Sequence, residues 1–130
     1  MQPRFHIVMF HPEIPHNTGA AGRLALATGS RLHLIKPLGF SLDEKHVRRT
    51  GLDYWAKVDL HVWDSLEELK QAAAPGAQFW YLSTKAPRSH WDAVFHAGDY
   101  LVFGPESRGL PESMLREHAD TALTLSLIHI

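Results

Sequence analysis

Residues 98–111 read GDYLVFGPESRGLP. Four apolar residues, Tyr100-Leu101-Val102-Phe103, run without alternation and stop at Gly104-Pro105. An unbroken short apolar run suits a strand buried on both faces, as in a parallel sheet. Two glycines and a proline then bracket an acid and a base, Glu106 and Arg108. Glycine lets a backbone come close to a partner and adopt positive φ, so the loop can hold a ligand against its amides. The same residues also make a structural turn with a surface ion pair, and composition leaves both readings open. Neither G-x-G-x-x-G nor G-x-x-x-x-G-K-[ST] occurs, which argues against dinucleotide and P-loop sites.

Similar runs recur on both sides of this stretch. Strands are predicted at 5–10, 31–35, 58–62, 78–83, 100–103 and 121–125. A helix should start at a cap on Asn17 or Thr18 and stop at Gly29. Ser41-Leu42-Asp43-Glu44 is a capping box that opens a short basic helix. Asp64-Ser65-Leu66-Glu67 opens another, with Asp64 at the cap, ending near Pro75-Gly76. Pro111 suits the first turn of a last helix. Strands alternating with helices imply an α/β fold, a Rossmann-like, mostly parallel sheet flanked by helices. Ligands of such sheets lie beyond the carboxyl ends of the strands. That places Ser83-Thr84-Lys85 and the Gly104–Gly109 loop on one functional edge.

The chain has 130 residues, enough for a single domain, and 45% are hydrophobic and 21% charged, which is ordinary globular composition. A formal net charge of -1 argues against a broad nonspecific nucleic-acid surface but allows a local basic patch, or one shared by two subunits. The absence of cysteine excludes disulfide and thiolate chemistry and fits a reducing compartment. No run approaches the roughly 20 apolar residues needed to span a bilayer, and no signal-peptide layout is present, so a soluble cytoplasmic protein without membrane contact is expected. None of the ten histidines forms H-E-x-x-H or another tight ligand pair, so no metal is expected.

Asn17-Thr18-Gly19-Ala20-Ala21-Gly22-Arg23 follows the first strand at the same edge. Arg23 can hold a phosphate or orient a hydroxyl, or simply be a solvated helix residue. Lys45, Arg48 and Arg49 precede Gly51-Leu52-Asp53-Tyr54-Trp55, and basic residues beside aromatics suit single-stranded RNA. A solvated helix face leading to core aromatics is the plain alternative. Lys85 and Arg88 add candidate phosphate contacts.

Four stretches in order, PEIPHNTGAAGRLALATG, LHLIKPLGF, RRTGLDYW and DYLVFGPESRGLP, resemble the TrmL, or YibK-like, tRNA 2′-O-ribose methyltransferases of the SPOUT superfamily. The resemblance implies transfer of a methyl group from S-adenosylmethionine to the ribose 2′-hydroxyl of the wobble nucleotide, C or modified U, in leucine tRNAs. It also implies a homodimer and a C-terminal trefoil knot, a rare departure from unknotted folds. By motif match, Arg23 would assist the hydroxyl, with Asn17 and Glu106 shaping the site as catalytic residues. Leu82, Ser83, Thr84, Gly104, Pro105, Gly109 and Leu125 would bind the cofactor. Arg48, Arg49, Tyr54, Lys85, Arg88 and Arg108 would face RNA.

The sequence departs from that pattern in three places. His16 stands where glutamine is usual, and Gly22 replaces an apolar residue before the arginine. A third motif, rich in serine and asparagine, is missing. The expectation is therefore one methyltransferase domain over 1–124 that lacks the knot-completing segment, with 125–130 (LSLIHI) a non-native tail resembling a translated adapter. The alternatives are an RNA-binding or dimerisation module without catalysis, 2′-O-methylation of another RNA site, and a small α/β hydrolase using Glu106 with a histidine. No G-x-S-x-G elbow supports the last.

Overall fold

His6 and four apolar residues after it, Ile7 to Phe10, form β1 (His6–Phe10), and all five side chains are buried. That is the signature of a strand covered on both faces. The computed structural model describes residues 5–13, 15–39, 57–83, 88–89, 95–105, 109–118 and 121–124. Among them the order is β1, α1 (Pro15–Thr28), β2 (Arg31–Ile35), β3 (Leu60–Trp63), α2 (Leu66–Ala72), β4 (Phe79–Ser83), β5 (Arg88–Ser89), β6 (Tyr100–Phe103), α3 (Glu112–Glu117) and β7 (Ala122–Thr124). The seven strands form one sheet in the order β3-β2-β1-β6-β4-β7-β5. Every pairing is parallel, as the α/β reading required.

Alternate residues of β1 feed two cores. Val8 and Phe10 pack with Ile35, Tyr81, Tyr100 and Val102 beneath Leu66 and Leu69 of α2 and Leu115 of α3. Ile7 and Met9 pack with Leu32 and Leu34 against Ala25 of α1. The helix after β1 thus covers one face, while the helix after the adjacent β6 covers the other. A crevice between neighbouring strands whose connections diverge in this way is where open α/β sheets take ligands.

The local signals mostly act as expected, with shifts that have physical causes. Gly29 ends α1 at φ +66. Its N–H reaches Leu26 O at 3.4 Å and that of Ser30 reaches Ala25 O at 2.8 Å, the two bonds of a Schellman cap. The start of α1 lies earlier than predicted: Pro15 is its first residue, a position where a missing N–H loses nothing, so Asn17 and Thr18 are inside the first turn. Ser65, not Asp64, caps α2, its side chain accepting from Glu68 N at 3.2 Å. Asp64 instead faces Lys36 Nζ at 3.4 Å. That helix stops at Ala72, ahead of Pro75-Gly76. Pro111 caps α3 from outside, with ψ 139. The third strand runs Leu60–Trp63 rather than 58–62; just before it, Asp59 accepts from Arg31 Nε at 2.8 Å and from His61 Nε2 at 3.0 Å. β5 is an added edge strand with no sequence signal beyond two residues. The basic helix expected from Ser41 lies outside the described residues, as do 125–130.

The starting ends of the strands carry a buried polar cluster on the α2–α3 face. His6 and His33 are 8% and 2% exposed. Trp63 Nε1 donates to His33 Nδ1 at 3.0 Å, and an indole N–H can only donate. The His33 proton therefore sits on Nε2, which donates to His6 Nδ1 at 2.8 Å. His6 in turn carries its proton on Nε2 and stacks on Tyr100, ring centroids 3.9 Å apart. Nearby, buried Asp99 accepts from Trp80 Nε1 at 3.0 Å and from His96 N at 2.8 Å.

Candidate active site

The candidate site is built where β1, β6 and β4 end. The pairing of Leu82 with Phe103 and of Met9 with Phe103 brings Phe10, Gly104 and Ser83 to one level across three strands. Beyond them the backbone must turn away from the ladder, which frees amides for other partners.

Gly104 opens the loop after β6. A Cβ built on it would run into Leu110 N and the carbonyl carbon of Gly109, and would lie 2.9 Å from Gly109 Cα. The chain returns across its own starting point, and only glycine allows that crossing. Gly109 holds φ +70 and donates its N–H to Pro105 O at 2.8 Å. Pro105 is buried, and Leu110, 2% exposed, joins the core containing Phe10. The glycines expected to admit a ligand are thus first required by the protein's own backbone. Leu82 is buried inside the sheet between Phe103 and Leu123, so at this position only backbone could face a ligand. Ser83 ends β4 opposite Thr124.

The structure brings Leu82, Ser83, Gly104, Pro105 and Gly109 to one edge, and Asn17 is the third residue of α1, the helix that follows β1. Arg23 is exposed and eight residues along α1, about 12 Å from the helix start at 1.5 Å per residue. Arg88 lies in edge strand β5, opposite Leu123, rather than in a loop. Glu106, Arg108, Thr84, Lys85, Leu125, Arg48, Arg49 and Tyr54 lie outside the described residues.

Three features of this edge escaped the sequence reading. His11, just past β1, has φ +50, the left-handed region, in a residue other than glycine. Its ring stacks on Phe10 with centroids 3.8 Å apart. Gly39 donates to Pro12 O at 2.9 Å and leaves its would-be Cβ 3.0 Å from Glu13 Cα, so the loop after β2 buttresses the loop after β1. Thr18, 1% exposed, has a buried hydroxyl without a hydrogen-bond partner among the described residues. Only the NTG motif hinted at the last, and nothing in the sequence marked the conformation of His11.

A cavity of about 480 Å³ opens elsewhere, lined by Lys70, Gln78, Phe79, Tyr81, His118 and Thr121 among others. Lys70 Nζ lies 3.4 Å from His118 Nε2. Burial, and then the Lys70 charge, lower the His118 pKa. This cavity contains none of the expected site residues and lies away from the strand ends where ligands of this fold class bind. Among the described residues no cluster could hold a metal ion, and no helix is long and apolar enough to cross a membrane.

Comparison with known proteins gives the family and the fold. The model of the SpoU rRNA Methylase family matches residues 4–127. A tRNA (cytidine(34)-2′-O)-methyltransferase of Saccharophagus degradans is 53% identical over 114 residues, covering 85% of this chain and 71% of that protein. A solved structure concerned with the 2-OH methylation of C/U34 on tRNA superposes with a TM-score of 0.85 at 45% identity, covering 95% of this chain and 80% of that one. The SpoU methyltransferase AviRb of Streptomyces viridochromogenes, solved with its cofactor AdoMet, shares the fold at 21% identity and a TM-score of 0.71, covering 98% and 50%.

Proposed function

The chain belongs to the SpoU rRNA Methylase family, and we propose that it transfers a methyl group from S-adenosylmethionine to the ribose 2′-hydroxyl of tRNA nucleotide 34. The likeness to a structure concerned with the 2-OH methylation of C/U34 on tRNA supports this reading, because it covers 95% of this chain. The finer parts of the same proposal are leucine tRNAs as substrates and a homodimer.

The edge suits a nucleoside cofactor. Gly104 has no side chain, Leu82 presents only backbone, and Gly109 turns the chain back, so a flat ledge of main chain ends β4 and β6. When bound, S-adenosylmethionine supplies a methyl group on a sulfonium, already activated for transfer. The remaining task is alignment of the acceptor oxygen with the methyl carbon and sulfur. In this reading Leu82, Gly104 and Gly109 fix the cofactor side, while Asn17 and Glu106 shape the acceptor side. Arg48, Arg49, Tyr54, Lys85, Arg88 and Arg108 track the RNA. Arg23 stabilises the negative charge that grows on the ribose oxygen. Its guanidinium stays protonated and cannot act as the base, so the hydroxyl proton leaves to an RNA phosphate.

The test is transfer of a labelled methyl group from S-adenosylmethionine to unmodified leucine tRNA, with and without Arg23→Ala. Transfer by the parent chain and its loss in the variant are expected. Full transfer by Arg23→Ala would remove the charge-stabilising role. No transfer by a verified folded parent would remove the enzymatic reading.

A further inference from the structure

We propose that the cavity between the ends of α2 and α3 is a second ligand site, one that takes the phosphate of a nucleotide, either free or within an RNA. It is separate from the candidate active edge, and its existence does not rest on the functional reading above.

The cavity, about 480 Å³, is lined by Lys70 of α2, Pro75 from the turn that follows, Phe79 and Tyr81 of β4, and His118 at the end of α3. Its size falls within the range of small-molecule sites. Lys70 is half-buried, and its ammonium is held among three rings. It lies 3.4 Å from His118 Nε2, and 5.6 Å and 5.3 Å from the ring centroids of Phe79 and Tyr81. Tyr81 is 1% exposed and stacks on His118 with centroids 4.4 Å apart, so the imidazole is seated as well. An ammonium can only donate, so His118 accepts at Nε2 and carries its proton on Nδ1. That N–H is a second donor beside the cation. These groups stand apart from the His6–His33 and Asp99 hydrogen bonds.

What the cavity lacks is a counter-charge. No Asp or Glu is among the residues that line it, and among the described residues no carboxylate pairs with Lys70. Glu67 stands one turn earlier on α2 and Glu117 acts on the His118 ring, yet neither lines the cavity. Lys70 does complement the carbonyl end of α2, whose last turn it occupies. That end carries at most about half a unit of negative charge, and less in so short a helix, against a full unit on the ammonium. Cation–π contact with Phe79 and Tyr81 offsets part of the lost hydration, but rings accept no hydrogen bond of ordinary strength. Positive charge and spare donors, partly withdrawn from water, are what an oxyanion completes. Lysine meets phosphate as a point charge, and the His118 N–H adds a donor. The space exceeds what a bare phosphate needs, and the apolar walls at Ala73, Pro75 and Phe79 suit the organic body of a nucleotide.

The experiment titrates the full chain with inorganic phosphate and then with cytidine 5′-monophosphate, at pH 7 and fixed ionic strength. NMR follows the His118 imidazole and the backbone amides in the parent, K70M, K70Q and K70R. Saturable shifts at the cavity residues are expected, with the nucleotide binding more tightly than phosphate. Both neutral variants should bind about tenfold more weakly, the scale of one charge-assisted hydrogen bond, while K70R retains binding. The bound anion should also raise the His118 pKa, because it favours the charged imidazole against the opposing Lys70 charge. A structural role for Lys70 would not produce that shift. Shifts that never saturate in the parent, or saturable binding that K70M and K70Q leave unchanged, would overturn the proposal. The Kd for unmodified tRNA then separates the sources. A loss in K70M and K70Q matching that for the nucleotide would assign an RNA phosphate, and an unchanged tRNA Kd would assign a free nucleotide. These measurements read binding alone, so their failure leaves the methyl-transfer proposal standing.

Discussion

The His6–His33 pair makes a quantitative prediction about acid. Both rings are held neutral by their partners. Protonating His33 at Nδ1 would set it against the Trp63 N–H, and protonating His6 at Nδ1 would set it against the His33 N–H. Burial, the largest cause in each case, lowers the pKa of His6 from 6.5 to about 4 and that of His33 to about 3. Positive charge on Arg31 works in the same direction, and the Asp59 carboxylate opposes it. Tyr100 and His61 complete the groups that face the pair. The folded-state values lie below the unfolded ones, so the full contribution is present above pH 6.5. It is lost as pH falls from 6.5 toward 4, because the unfolded chain takes up two protons there and the folded chain does not. Each uncompensated proton is worth about 1.4 kcal/mol per pH unit. At pH 5, 1.5 units below the unfolded value, the pair should have lost roughly 4 kcal/mol, much of the roughly 5–15 kcal/mol that holds a domain together. Asp59 does not confound this window, since its Arg31 hydrogen bond lowers its pKa from 3.8. His118 adds a change of the same sign in parent and variant alike. The assay is urea unfolding at pH 7 and pH 5 for the parent and for His6→Gln/His33→Gln. The parent should lose about 4 kcal/mol more than the variant between the two pH values. An equal loss in both, or His6 and His33 imidazoles titrating near 6.5 in the folded protein by NMR, would refute the reasoning.

Two further substitutions probe the other end of the sheet. Gly104→Ala forces a methyl group into Gly109 and Leu110; it should lower stability by about 1–3 kcal/mol and weaken S-adenosylmethionine binding at least as much as it disturbs the fold, read by melting and calorimetry. A melting temperature and affinity equal to the parent's would show that the loop does not close as described. Thr18→Val keeps the shape but removes a buried hydroxyl without a described partner, so stability should rise by about 1 kcal/mol. A loss of stability instead would mean that the hydroxyl is hydrogen-bonded within the protein.

Several of these elements were legible in the sequence for a simple reason. Tyr100–Phe103 declares itself as an unbroken apolar run, and Arg31–Ile35 as a short run bounded by Gly29 and Pro37; both ranges match the structure. Gly29 was legible because a left-handed cap has few candidates. The boundaries that moved did so where two local devices compete. Asp64 and Ser65 are both good caps, and a Lys36 contact drew Asp64 away. Pro15 and Asn17 are both good starts, and the proline's fixed φ took precedence. The candidate edge followed from strand polarity alone, so Ser83 and the Gly104 loop could be placed together before any coordinates. Tertiary register could not be read. The His6–His33–Trp63 chain joins positions 27 and 30 residues apart, and no spacing rule links residues across parallel strands with long crossovers.

The two ends of the sheet differ in how completely their polar groups are satisfied, and that difference locates function better than any single motif. At the starting ends, His6 is bonded by His33, which Trp63 reaches from the last residue of β3, and Asp99 separately accepts from Trp80 and His96. Such a network specifies register and rigidity, and adding a ligand there would break bonds already made. At the finishing ends, the structure holds a left-handed His11, a Thr18 hydroxyl without a described partner and a loop closed through glycine alone. Each of these is uphill locally and persists only because the rest of the sheet determines the backbone. Free energy gained at one end is thereby spent in holding the other end ready, which is why acid damage should act through His6 and His33 on stability first.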